Sequence, residues 1–96
     1  MGGTDPKIPA SDAWCPFADG IEAGERTARL RCLRAIVHLT TGQRGRAAAE
    51  ALRTAERDPT ILPTALAEVM RLAPLDRRRV LASYAVLTRP ERWPHA

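Results

Sequence analysis

Ninety-six residues, 45% of them hydrophobic and with a net charge of +4, limit the chain to one domain near the small end of what folds alone. No stretch approaches the roughly 18 consecutive apolar residues of a membrane span. The first residues are neither basic nor continuously apolar, so no secretory signal is read and a cytoplasmic location is expected. The hydrophobic residues include 17 Ala, and only Trp14, Phe17, Tyr84 and Trp93 are aromatic. A Leu and Ala core favours closely approaching helices over strands, which draw on β-branched and aromatic residues.

Residues 1–20 hold Pro6, Pro9 and Pro16, several glycines and no helical period, and they read as an extended arm. Its apolar content is concentrated in Trp14-Cys15-Pro16-Phe17, too much area to leave in water without cost. An anchor built on Trp14 and Phe17 is expected there.

A first helix is predicted over about 21–40, capped by Asp19 and stopped by Gly42. Its apolar residues cover more than half the circumference, as in a helix touched on both flanks, and Arg31, Arg34 and His38 share the remaining polar face. A second helix, about 46–57, has a narrow stripe of Ala47, Ala48, Ala51, Leu52 and Ala55. With one large side chain to bury, it is expected to pack closely and to be the easiest to displace. Arg46 and Glu50 stand at i, i+4 within it. A third, about 61–72, is expected to be capped by Thr60, with Pro63 in its first turn and Pro74 breaking the chain after it. A fourth covers about 75–88, and residues 91–96 form a short tail. Connections of two to five residues make this an all-α compact bundle of four helices, with residues 21–90 as the single helical domain.

The fourth helix is apolar on two sides. At about 100° per residue, Val80, Tyr84 and Leu87 share one stripe with Leu81 at its edge, while Leu75, Ala82 and Val86 form another nearly opposite. A surface helix needs only one such stripe. Three coverings compete for the second: the arm folded back with Trp14 and Phe17, a central place for this helix in the bundle, or a partner.

Chemistry-bearing patterns are sparse. Cys15, Cys32, His38 and His95 lack the closely spaced pairs of a structural zinc site, and Cys32 and His38 point to different sides of one helix. Neither metal nor cofactor is expected. A Cys15–Cys32 disulfide would suit an oxidising compartment, which is not the one read here. No two carboxylates stand where an apolar wall would separate their pKa values. The Gly42-Gln43-Arg44-Gly45 turn lacks the Lys-Ser/Thr of a phosphate loop. No catalytic residue is assigned, and no enzymatic activity or small-molecule substrate is expected.

Residues 1–25 carry five acids against Lys7, and residues 26–96 carry 14 Arg against six acids. Such asymmetry suits an acidic partner or nucleic acid. Abundant Arg and Ala also follow from a G+C-rich bacterial coding sequence, in which surface cations default to Arg. Thr64-Ala65-Leu66-Ala67-Glu68 followed by Val69-Met70-Arg71-Leu72 resembles the first helix of a helix-turn-helix, with small Ala67 where the helices cross. That resemblance implies DNA contact by Arg77, Arg78 and Arg79 near the start of the second helix. The turn departs from the pattern in having Arg71 in the place often held by glycine and in containing Pro74. Arg77 also occupies an inward apolar position.

The sequence thus leads to a small non-catalytic helical module that acts by protein–protein contact as an accessory subunit, adaptor or regulator. Leu75, Ala82 and Val86 would form its interface, Arg78 and Arg79 the rim, and Trp14 and Phe17 the arm's contribution. A symmetric homodimer is the commonest form of such an interface. The alternative is a nucleic-acid-binding transcriptional regulator using Arg77, Arg78 and Arg79. The first reading requires residues 75–88 to be helical and their second stripe to be covered by something.

Overall fold

A computed structural model of the chain describes residues 15–88, and no helix among them is long and apolar enough to cross a membrane. These residues are almost wholly helical and include no strand: α1 (Ala23–Thr41), α2 (Arg46–Arg57), α3 (Leu62–Met70) and α4 (Pro74–Thr88), with 3₁₀ turns at Gly42–Gly45 and Pro59–Ile61. The all-helical, compact expectation is met. The bundle of four helices is not confirmed, because α3 is a nine-residue piece beside three longer helices. The radius of gyration is 12.9 Å, close to the about 12.5 Å of a compact chain of this length.

Local chemistry sets the boundaries. Glu22, and not Asp19, caps α1: its carboxylate accepts from the Glu25 N–H at 3.0 Å. Gly42 ends the helix at φ 58°, and its N–H donates to the His38 carbonyl. Asp58, and not Thr60, organises the turn before α3, because its Oδ1 accepts from both the N–H and the hydroxyl of Thr60. The third helix stops at Met70, two residues early, where the Arg71 and Leu72 N–H groups turn back onto the Ala67, Glu68 and Val69 carbonyls. Pro74 opens α4 and does not merely interrupt the chain; the first-turn N–H it lacks needs no partner within the helix.

Helices α1 and α2 form an antiparallel hairpin. Gly45 lies against Val37 and Thr41 at one end, and Glu56 of α2 meets Arg31 and Arg34 of α1 at the other. Helix α1 is central, touching α2 on one flank and α4 on the other, while α3 packs on α2. The core is built from Leu30, Leu33, Val37, Leu52, Val69 and Val80, with Ala48, Ala55 and Ala65 allowing close approach. From the arm, Cys15, Pro16 and Ala18 are buried and Phe17 packs against the same core. Arg26 fixes this segment by donating to the Pro16 carbonyl at 2.8 Å. Trp14 and the rest of the arm lie outside the described residues, as do Trp93 and His95.

Helix α4 starts beside the end of α1 and is fastened there by a two-pronged ion pair. Arg44 Nε and Nη2 donate to Asp76 Oδ2 and Oδ1, each at 2.9 Å. Those bonds hold the Asp76 carboxyl below its ordinary value, against the burial that pushes it up, with the charges of Arg44 and Arg79 assisting. The native carboxyl is therefore the stronger acid. Its contribution to stability is complete above the unfolded value of about 4 and is lost as pH falls through the lower native value. The melting temperature of the wild type should exceed that of Asp76→Asn at pH 7, and the gap should narrow as the pH falls below about 4. Thermal melts of both proteins from neutral to acid pH check it; a gap that does not shrink on acidification contradicts it.

Candidate functional site

Helix α4 puts its two apolar stripes in different surroundings. Val80, Leu81 and Tyr84 are buried against α1, as their spacing predicts, but Leu87 is 55% exposed at the helix end. Burial raises the Tyr84 phenol well above its usual range, with the Cys32 thiol nearby adding to the effect. On the outer side Leu75 is 54% and Val86 51% exposed, and Ala82 between them is also exposed. Arg78 and Arg79 are exposed at the edge of that stripe. The helix is peripheral and not central, and Phe17 of the arm serves the chain's own core. Of the three coverings, the central placement is excluded by the packing.

The basic triplet divides. Arg77 is half-buried and its Nη1 donates to the Met70 and Leu72 carbonyls at 2.9 and 3.3 Å, so it ties α4 to the end of α3. The connection of three residues, 71–73, has a length a helix-turn-helix uses, yet α3 and α4 share little surface. Each is held elsewhere, α3 by α2 and α4 by α1. Arg77 at the inward position is accommodated because its guanidinium finds backbone acceptors there.

Cys15 and Cys32 are free thiols. Burial raises both; at Cys15 it outweighs the opposing effect of the Phe17 N–H, which donates to Sγ at 3.3 Å, so each thiol sits where a thiolate is disfavoured. Among the described residues no three His, Cys, Asp or Glu side chains converge as a metal site.

The outer face of the α1–α2 hairpin carries what the sequence reading left unassembled. An open hollow of about 540 Å³ runs between the two helices, lined by Arg34, His38, Arg46 and Arg53 together with Gly42 and Glu50. Two neighbouring hollows continue it along α2 towards Arg57. Beneath them Glu56, its side chain 9% exposed, accepts from Arg31 Nε at 3.1 Å and from Arg34 Nε at 3.0 Å. The signal was present in the spacing. Arg31, Arg34 and His38 on α1 and Arg46, Glu50, Arg53 and Arg57 on α2 each recur at three or four residues, and only the hairpin shows that the two rows adjoin. No family model, curated protein or solved structure matches this chain.

Proposed function

We propose that this chain is a small non-catalytic helical module of the cytoplasm that acts by protein–protein contact, as an accessory subunit, adaptor or regulator of a larger protein. The observation that carries the reading is the outer face of α4, where Leu75, Ala82 and Val86 stand in one row with about half of each large side chain in solvent. Apolar surface grouped in this way is uncommon on a monomer and marks contact sites. Arg78 and Arg79 beside it give the polar rim of a modest interface. Charge selects the occupant. A second copy seated face to face would bring these arginines towards their own counterparts, whereas an apolar helix flanked by carboxylates would complement them. The partner is therefore a different protein with an acidic-rimmed apolar stripe.

Three full-length baits test this against an extract of the native host: the wild type, Leu75→Glu/Val86→Glu, and the control Leu39→Glu, which alters another exposed leucine on α1. A protein retained by the wild type and the control, but lost with the double variant, is the expected result. A chain that stays monomeric, with capture identical for all three baits, leaves the α4 face bare and overturns the reading. A wild-type dimer that the double variant dissociates would show the face to be an interface between copies, contrary to the choice of partner.

A further inference from the structure

We infer that the groove on the α1–α2 hairpin binds the phosphate backbone of duplex nucleic acid without reading its sequence, a site separate from the α4 face. Five arginines, Arg31, Arg34, Arg46, Arg53 and Arg57, border it against the carboxylates of Glu50, Glu56 and Asp58. Each of those carboxylates is already engaged. Glu56 is held by Arg31 and Arg34, Glu50 by Arg46 at 3.2 Å, and Asp58 by the turn that Thr60 closes. Arg53 and Arg57 make no salt bridge among the described residues, and Arg53 borders all three hollows. Positive charge thus remains in excess along the whole groove.

The Glu56 clamp gives the site its geometry. It takes one N–H from each of two guanidinium groups, so both are fixed in place while their terminal nitrogens stay outside any hydrogen bond among the described residues. A guanidinium carries five donors in a planar fork that matches phosphate oxygens. Holding two of them beforehand lowers the ordering cost of a contact.

Shape and composition favour a polymer backbone. The hollows are open and run from Arg46 to Arg57, about 16 Å along the helix axis, which spans about five phosphates of one duplex strand. A small phosphate ligand would be better served by an enclosed cavity. Among the described residues no Phe, Tyr or Trp borders the groove, and the single His38 imidazole cannot stack successive bases, so recognition stops at the backbone. An acidic protein segment would need apolar pockets to anchor it, and among the described residues the groove provides only Gly42 and Ala49.

The test is binding of a labelled random-sequence 20-base-pair DNA duplex to the full chain, with salt varied from about 50 to 200 mM. Arg53→Glu/Arg57→Glu should weaken binding at least about tenfold, and the slope of log K against log salt should fall by about two. Arg78→Glu/Arg79→Glu changes the net charge equally but lies on α4, and should stay within about twofold of the wild type. Circular dichroism confirms that each variant is folded, and Arg53→Gln/Arg57→Gln repeats the measurement if charge reversal perturbs the hairpin. Inorganic triphosphate is titrated as competitor and should displace the duplex only at concentrations that act through ionic strength. The inference is overturned if the wild type shows no salt-dependent binding. Equal losses for the two Arg pairs, or displacement by micromolar triphosphate, overturn it as well. Failure here leaves the α4 reading standing, because the two faces share no residue.

Discussion

Leu52→Ala is expected to remove about 2–5 kcal/mol of folding stability, the range for deleting a fully buried leucine side chain. Leu52 is 0% exposed and is the one large side chain that α2 contributes to the core. Its neighbours on the same stripe are Ala48 and Ala55, which have nothing to move into the space it would vacate. The cavity should therefore stay open, and the loss should fall in the upper half of the range, since cost rises with the volume left unfilled. For a domain of this size that corresponds to a melting temperature lower by about 17–25 °C. Urea unfolding gives the direct check, with Leu39→Ala as reference. At 83% exposure, Leu39 should cost no more than about 0.5 kcal/mol when truncated. Near-equal effects at the two positions would contradict the packing described.

Gly45→Ala is the second large effect, and it runs through space, not backbone conformation. Gly45 has an ordinary negative φ of −103°, so alanine could adopt its dihedrals. A methyl group there would instead collide with Thr41 Oγ1 and come within 2.8 Å of Val37 Cγ1. Neither neighbour has room to yield. Val37 is fully buried, and the Thr41 hydroxyl is buried and donates to the Val37 carbonyl at 2.7 Å. Relief requires the α1–α2 turn to open, at a cost of about 1–3 kcal/mol. Thermal unfolding of Gly45→Ala beside Gly42→Ala separates the causes. Gly42 has free space around the added methyl but a φ of 58°, so its loss comes from backbone strain. In Gly45→Ala, a companion Thr41→Ser should recover little, because it keeps the clashing oxygen. Thr41→Ala should recover part by removing it.

The elements were legible where one face alone decides the outcome. Helix α2 was read to the residue, because Gly45 and Pro59 bracket an alternation of small apolar and charged positions. The two-sided character of α4 was also plain in the spacing of Leu75, Ala82 and Val86 against Val80 and Tyr84. Caps were harder, since Asp19, Glu22, Asp58 and Thr60 all carry suitable oxygens and only backbone geometry chooses among them. The basic groove could not be read from one helix at a time. Arg31 and Arg57 are 26 positions apart, and a row of cations on a single helix is indistinguishable from a solvated face until the hairpin sets two rows side by side. Arg77 illustrates the opposite case. Its place in a basic triplet suggested a ligand, whereas the carbonyls ending α3, which no sequence motif announces, engage it.

The unequal attachment of the helices has a dynamic consequence. Helix α2 is not the easiest to displace, as its small side chains had suggested, because it grips both α1 and α3. Helix α4 is instead fastened along α1, with the Arg44–Asp76 clasp at its start and Arg77 reaching the end of α3. Partial openings follow the weakest seam, so release of α4 should precede loss of the hairpin as free energy is supplied. The terminal element can then re-angle while the remainder holds its form. Anything that seizes its outer side would register throughout the molecule as added resistance to unfolding.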